Sequence, residues 1–143
     1  MTKSNCALVL AVLVATGAAA CGGARSGDGG TPAASAVKLT VAVIPKGTSH
    51  VFWRSVHAGA IKAAGELGVD VIWRGPIRED DRDAQISEVE GFVTRRVSGI
   101  VLAPLDDTAL VGPVDRAVQA GIPVVVIDSG LKSTAHASFV ATD

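Results

Sequence analysis

The chain has 143 residues, 48% of them apolar and 3% aromatic, with 13 Lys+Arg against 14 Asp+Glu. That length suits one domain with a substantial core, and a net charge of −1 excludes a nucleic-acid binder that works by neutralising phosphates. The charges are mixed, so charged tails are excluded, and the Val, Ile, Leu and Ala content argues against disorder.

Residues 1–20 read as an export signal. Lys3 supplies a short basic region, Ala7 to Val14 run apolar without a break, and Ala18, Ala19 and Ala20 form a small-residue exit. The run is too short for a bilayer, which requires about 20 apolar residues. Cys21 follows, then Gly22 and Gly23. This junction resembles a bacterial lipoprotein signal, in which the cysteine becomes the lipidated N-terminus; Ala18 departs from the Leu usual there. An ordinary signal-peptidase site would be cut at the same bond. Either way Cys6 leaves with the signal and one cysteine remains, so no intramolecular disulfide is expected. Residues 21–36 are rich in Gly, Ser and Ala and read as a flexible tether reaching about 20 Å.

From Val37 onward a strand–helix pattern repeats about every thirty residues. Leu39 to Ile44 form an apolar run stopped at Pro45-Lys46-Gly47, and Trp53, Val56, Ala60, Ala64 and Leu67 then fall at helical spacing before Gly68. Val69 to Trp73 predict a second strand. A second helix is expected to bury Ile86, Val89 and Val93 and to expose Glu88 and Arg95, with Glu79, Asp80, Asp81, Arg82 and Asp83 as its exposed acidic start. Gly99 to Ala103 predict a third strand. The third helix spans about Ala109–Ala120, with Val111, Val114 and Val118 inward, Pro113 in its first turn and Gly121 as its stop. Pro123 to Ile127 and Ala137 to Val140 complete the set. Near-continuous apolar strands alternating with helices predict an α/β fold, a doubly wound open parallel sheet covered on both faces.

Open parallel sheets bind ligands beyond the carboxyl ends of their strands, so the residues after each strand carry the functional information. No GxxxxGK[ST], GxGxxG or GxSxG occurs there, and His50, His57 and His136 have no metal-ligand spacing; neither cofactor nor metal is expected. The remaining residues suit a sugar, whose hydroxyls need planar polar partners and whose C–H face packs on an aromatic ring. Phe52 and Trp53 hold two of five aromatics in one post-strand loop, where each could equally serve the core. Asp128 follows the fourth strand as a hydroxyl acceptor or, with Ser129 and Gly130, as a turn residue. Asp106 and Asp107 are expected to cap the third helix, and Arg74 could be a solvated loop charge.

The export signal, the segments IPKGTSHVFWRSVHAGAIKAAGELGV and GIVLAPLDDTALVGPVDRAVQAGIPVVVIDSG, and the closing SFVATD together resemble the ribose/galactose-type periplasmic binding proteins. These are substrate-binding subunits of bacterial ABC sugar importers, with a LacI-like core. The resemblance spans about Leu39 to Asp143. It implies that His50, Phe52 and Trp53 supply the polar and aromatic contacts of the first loop. Asp128 matches the hydroxyl-binding Asp of the family, and Ser129 replaces the Arg that often follows it. The resemblance also implies an ABC permease as partner, a non-enzymatic role, and a location in the periplasm or on the outer face of a bacterial membrane, lipid-anchored through Cys21. Residues 37–143 are read as the N-terminal lobe of a truncated two-lobed protein, with the second lobe absent and sugar affinity in the millimolar range or weaker. Two other classes stay open. One is a lobe presenting a sugar or signalling molecule to a membrane receptor; the other is an enzyme using Asp128 or Asp106 with help from His50.

Overall fold

The computed structural model describes residues 37–142. The predicted leader, Cys21 and the tether lie outside the described residues. The elements are β1 (Thr40–Ile44), α1 (Val51–Leu67), β2 (Asp70–Trp73), α2 (Arg82–Arg95), β3 (Gly99–Leu102), α3 (Val111–Gln119), β4 (Val124–Ile127) and β5 (Ser138–Val140). All five strands run parallel in the order β2-β1-β3-β4-β5, the doubly wound arrangement expected. The chain leaves β1 in one direction to reach β2 and then crosses back to β3. With right-handed crossovers, this puts α1 on one face and α2 and α3 on the other.

Alternation along the strands decides what each face buries. Ala42 and Ile44 of β1, Ile100 and Leu102 of β3, and Val124 and Val126 of β4 point toward α2 and α3. There they join Val89, Phe92, Val114 and Ala117 in one core, all between 0% and 1% exposed. The opposite face is less covered than the sequence predicts. Val43 is buried, but Val41, Val101, Val125 and Ile127 are only partly so. The reason is that α1 contacts β2, at one side of the sheet, and only Trp53 and Ala64 of this helix are buried. Leu67, assigned inward by its spacing, is 74% exposed.

The helix ends follow the sequence closely. Gly68 caps α1 with φ 67° and donates its N–H to the Ala64 carbonyl, a left-handed position that glycine fills without strain. α3 ends at Gln119 with Ala120 as its C-cap, and Gly121, with φ 81°, comes directly after that cap. The interior of α2 departs from expectation. Gln85 and Phe92 are buried there with Val89, while Ile86 and Val93 are only partly buried. No helix among the described residues is long and apolar enough to cross a membrane.

Candidate functional site

Beyond the carboxyl ends of β1 and β4, Lys46, His50, Phe52, Trp53, Glu79 and Asp128 line one open cavity of about 310 Å³. The chain reverses direction between β1 and β3, which is where an open sheet leaves its crevice. Two other hollows are larger: one of about 370 Å³ along Glu79–Asp83 and Asp106, which shares Glu79 with the cavity, and one of about 650 Å³ lined by Gly75–Arg78, Asp80 and Asp81 with Ala84 and Glu88 of α2. Neither contains an aromatic ring, so chemistry rather than volume singles out the smaller one.

The loop from β1 to α1 is built to hold side chains at that edge. Gln85 reaches up from α2, donating to the carbonyls of Pro45 (3.0 Å) and Ala103 (2.8 Å) and accepting from the N–H of Leu105 (2.8 Å). One buried side chain thereby ties the ends of β1 and β3 together. His50 is the N-cap of α1, and its Nδ1 accepts from the N–H of Phe52 at 3.2 Å. In the neutral ring this leaves Nε2 as the donor. Phe52 is 49% exposed and Trp53 is 2% exposed. Their rings meet edge to face, with centroids 4.9 Å apart and planes at 78°. The two readings left open for these aromatics are thus divided: Phe52 presents a ring to the cavity, and Trp53 is core that supports it from behind.

Asp128 follows β4 with φ 66°, a left-handed conformation that Asp tolerates better than most residues. Its N–H donates to the Val140 carbonyl of β5 (3.0 Å), and Ser129 N–H closes a tight turn on the Ile127 carbonyl (2.7 Å). Backbone strain of this kind collects at functional positions. The carboxylate pairs with Lys46 Nζ at 2.7 Å. Ser129 Oγ accepts from Lys46 Nζ and donates to Asp128 Oδ2 at 3.0 Å. Burial pushes the Asp128 carboxyl up, but the Lys46 and Ser129 hydrogen bonds and the Lys46 charge outweigh it and hold the group below the usual carboxylate value. Both contacts fall on Oδ2; among the described residues no donor reaches Oδ1.

The structure therefore brings His50, Phe52, Trp53 and Asp128 to one cavity and puts Ser129 beside it, bonded to Asp128. Lys46 and Glu79 were not singled out as site residues. Lys46 carried a usable signal, a charged residue directly after an apolar strand. Glu79 does not begin α2, which starts at Arg82 with Asp81 as its N-cap; its Oε1 accepts from Trp53 Nε1 at 2.9 Å. Asp106 caps a turn just before α3, accepting from the N–H groups of Thr108 and Ala109. Those two bonds hold its carboxyl below the usual value, against some desolvation and with help from Arg82. Asp107 bonds Thr108 and Lys132, and the same kind of stabilisation lowers it. Arg74 pairs with Glu88 of α2 at 2.8 Å and does not line the cavity.

A parallel five-stranded sheet with a crevice at its switch point, holding an exposed ring beside paired polar side chains, is an open α/β domain of the doubly wound class. A model of the periplasmic binding protein domain matches residues 41–143, and the chain belongs to that family. The D-allose-binding periplasmic protein of Escherichia coli (strain K12) is 38% identical over 88 residues, which is 61% of this chain and 28% of that protein. A solved carbohydrate transporter solute-binding protein from Agrobacterium radiobacter, in complex with D-arabinose, matches with a TM-score of 0.73 at 40% identity, covering 76% of this chain and 37% of that one. An ABC transporter solute-binding protein from Agrobacterium vitis with bound D-fucose gives 0.70 at 41% identity, covering 73% and 37%. The chain spans less than a third of the length of the D-allose-binding relative.

Proposed function

We propose that this chain forms one wall of a sugar site in an extracytoplasmic solute-binding protein that delivers a carbohydrate to an ABC importer without chemistry on it. Phe52 carries the reading: its ring is half exposed in the same cavity as Asp128, giving a sugar an apolar face to pack on beside a carboxylate. In this reading Asp128 Oδ1, which has no donor among the described residues, accepts from one ring hydroxyl. A lysine ammonium has three donors, and Lys46 uses two of them on Asp128 and Ser129, so the third is available to a neighbouring hydroxyl oxygen. His50 Nε2 adds a donor at the rim. The sugars named for the relatives support the class of ligand.

In the same reading residues 1–20 are an export signal, residues 21–36 a tether fixed to a membrane by lipid on Cys21, and residues 37–143 the ligand-binding lobe, with a membrane permease as partner. The test is a titration of the intact isotope-labelled chain with D-arabinose and D-fucose, followed by NMR. We expect millimolar binding that shifts the amides of Phe52, Asp128 and Ser129, lost in Phe52→Ala and in Asp128→Asn. Sugar-induced shifts confined to another edge of the sheet would overturn the assignment.

A further inference from the structure

The segment from the β1 loop into the start of α1 is bonded to the loop after β2 at three points. Thr48 Oγ1 donates to the Pro76 carbonyl at 3.2 Å, Ser49 Oγ to the Ile77 carbonyl at 2.9 Å, and Trp53 Nε1 to Glu79 Oε1 at 2.9 Å. Gly47 makes the approach possible. A Cβ there would stand 2.8 Å from Glu79 Cγ, closer than carbon atoms approach without something shifting. Glu79 is thus fitted between the two loops, although nothing in its local sequence distinguishes it from the acidic run that follows.

Its charge is also distinctive. The Asp128 carboxylate is neutralised by Lys46 at 2.7 Å, whereas Glu79 has no cationic partner within 4.0 Å among the described residues. With Lys46, Asp128 and Glu79 in the wall of one cavity, the balance is one negative charge, and Glu79 supplies it.

We propose that Glu79 is a positioning and specificity-determining residue of the sugar site: it fixes the indole on which the Phe52 ring rests, and its uncompensated carboxylate selects uncharged sugars over sugar acids. This rests on the sugar-binding reading for its second half only. The positioning half stands on the Trp53–Glu79 bond and on the edge-to-face contact between Trp53 and Phe52. Holding an aromatic platform in place before the ligand arrives removes an ordering cost of about 0.5–1.5 kcal/mol per side chain, about twofold to tenfold in affinity.

The chain has two tryptophans, so its indole N–H signals are two, and Trp73→Phe assigns them. In Glu79→Ala the Trp53 signal should shift and its hydrogen exchange accelerate, while Glu79→Gln, which keeps an acceptor oxygen, should leave exchange slow. An unchanged Trp53 signal in Glu79→Ala would overturn the positioning role, with or without a sugar. Selection is read with D-fucose and D-galacturonate, which share a ring and differ by a methyl against a carboxylate at C6. The intact chain should prefer D-fucose. Glu79→Gln should raise D-galacturonate binding relative to D-fucose binding at least about threefold, the size of effect one exposed charge exerts across a few ångströms. Glu79→Ala should weaken both sugars through the released platform. An unchanged ratio of the two sugars in Glu79→Gln overturns selection by charge. Absence of binding by either sugar overturns selection together with the sugar-binding reading, and the indole signal still decides the positioning role.

Discussion

Gln85 shows how one side chain can hold a site that it never touches. It is fully buried, yet its amide meets two carbonyls and one N–H at the ends of β1 and β3, so its polar atoms are satisfied. Gln85→Leu would strand all three backbone groups, and we expect it to lower stability by about 2–4 kcal/mol in urea titrations. Loss below about 1 kcal/mol would mean that water replaces the amide. At Lys46 the expected change is in pH dependence. With Lys46 present, the folded Asp128 carboxyl titrates below its unfolded value, so the pair stabilises the fold above the ordinary carboxylate range, and that contribution fades as pH falls through the folded value. Lys46→Met should move the acid limit of sugar binding to higher pH, and an unmoved limit would show that Asp128 is not the acceptor. These residues differ in how far the sequence announces them. Asp128, His50 and Phe52 follow apolar strands, where ligand contacts of a parallel sheet belong. Gln85 and Glu79 lie in polar stretches whose partners come from strands or loops well separated in the chain, and no local periodicity reports such a bond.

At the scale of elements, Gly47 in the loop after β1 and Gly75 in the loop after β2 set how closely the two loops pack. A Cβ on Gly75 would lie 2.9 Å from the Pro45 carbonyl oxygen, a backbone atom with little freedom to move. Gly75→Ala should therefore cost about 1–3 kcal/mol and disturb the Lys46 amide; a neutral outcome would show that the loops can part. The ends of α1 and α3 were legible because Gly68 and Gly121 take left-handed conformations that favour this residue. The inward face of α1 was not. A helical stripe such as Trp53, Ala64 and Leu67 records which residues could pack, while their burial depends on what lies opposite. Here α1 sits against β2, and Leu67 at its far end faces solvent.

For the molecule as a whole, protection differs between the middle of the sheet and its β5 edge. The face under α2 and α3 is closed by residues at or near 0% exposure, whereas Ser138, Phe139 and Val140 of β5 are all exposed. Amide exchange should accordingly be slowest in β1, β3 and β4 and fastest in β5; equal protection of β5 would contradict the asymmetry. Three carboxyls with lowered values, Asp106, Asp107 and Asp128, all lie beyond the carboxyl ends of β3 and β4. Protonating them in acid removes favourable charge from that end, so local opening should begin there as pH falls below about 4, with the turns at Thr108 and Ser129 exchanging first.

The bond from the Asp128 N–H to the Val140 carbonyl has a consequence at this largest scale. The carboxylate expected to grip the ligand and the last rung of the sheet ladder belong to the same residue. Pulling on one therefore loads the other, as a latch loads its hinge. Ligand that steadies the Asp128 turn would clamp β5 onto β4, so the least protected strand is also the one mechanically coupled to occupancy, and it should register an arriving sugar before the core does.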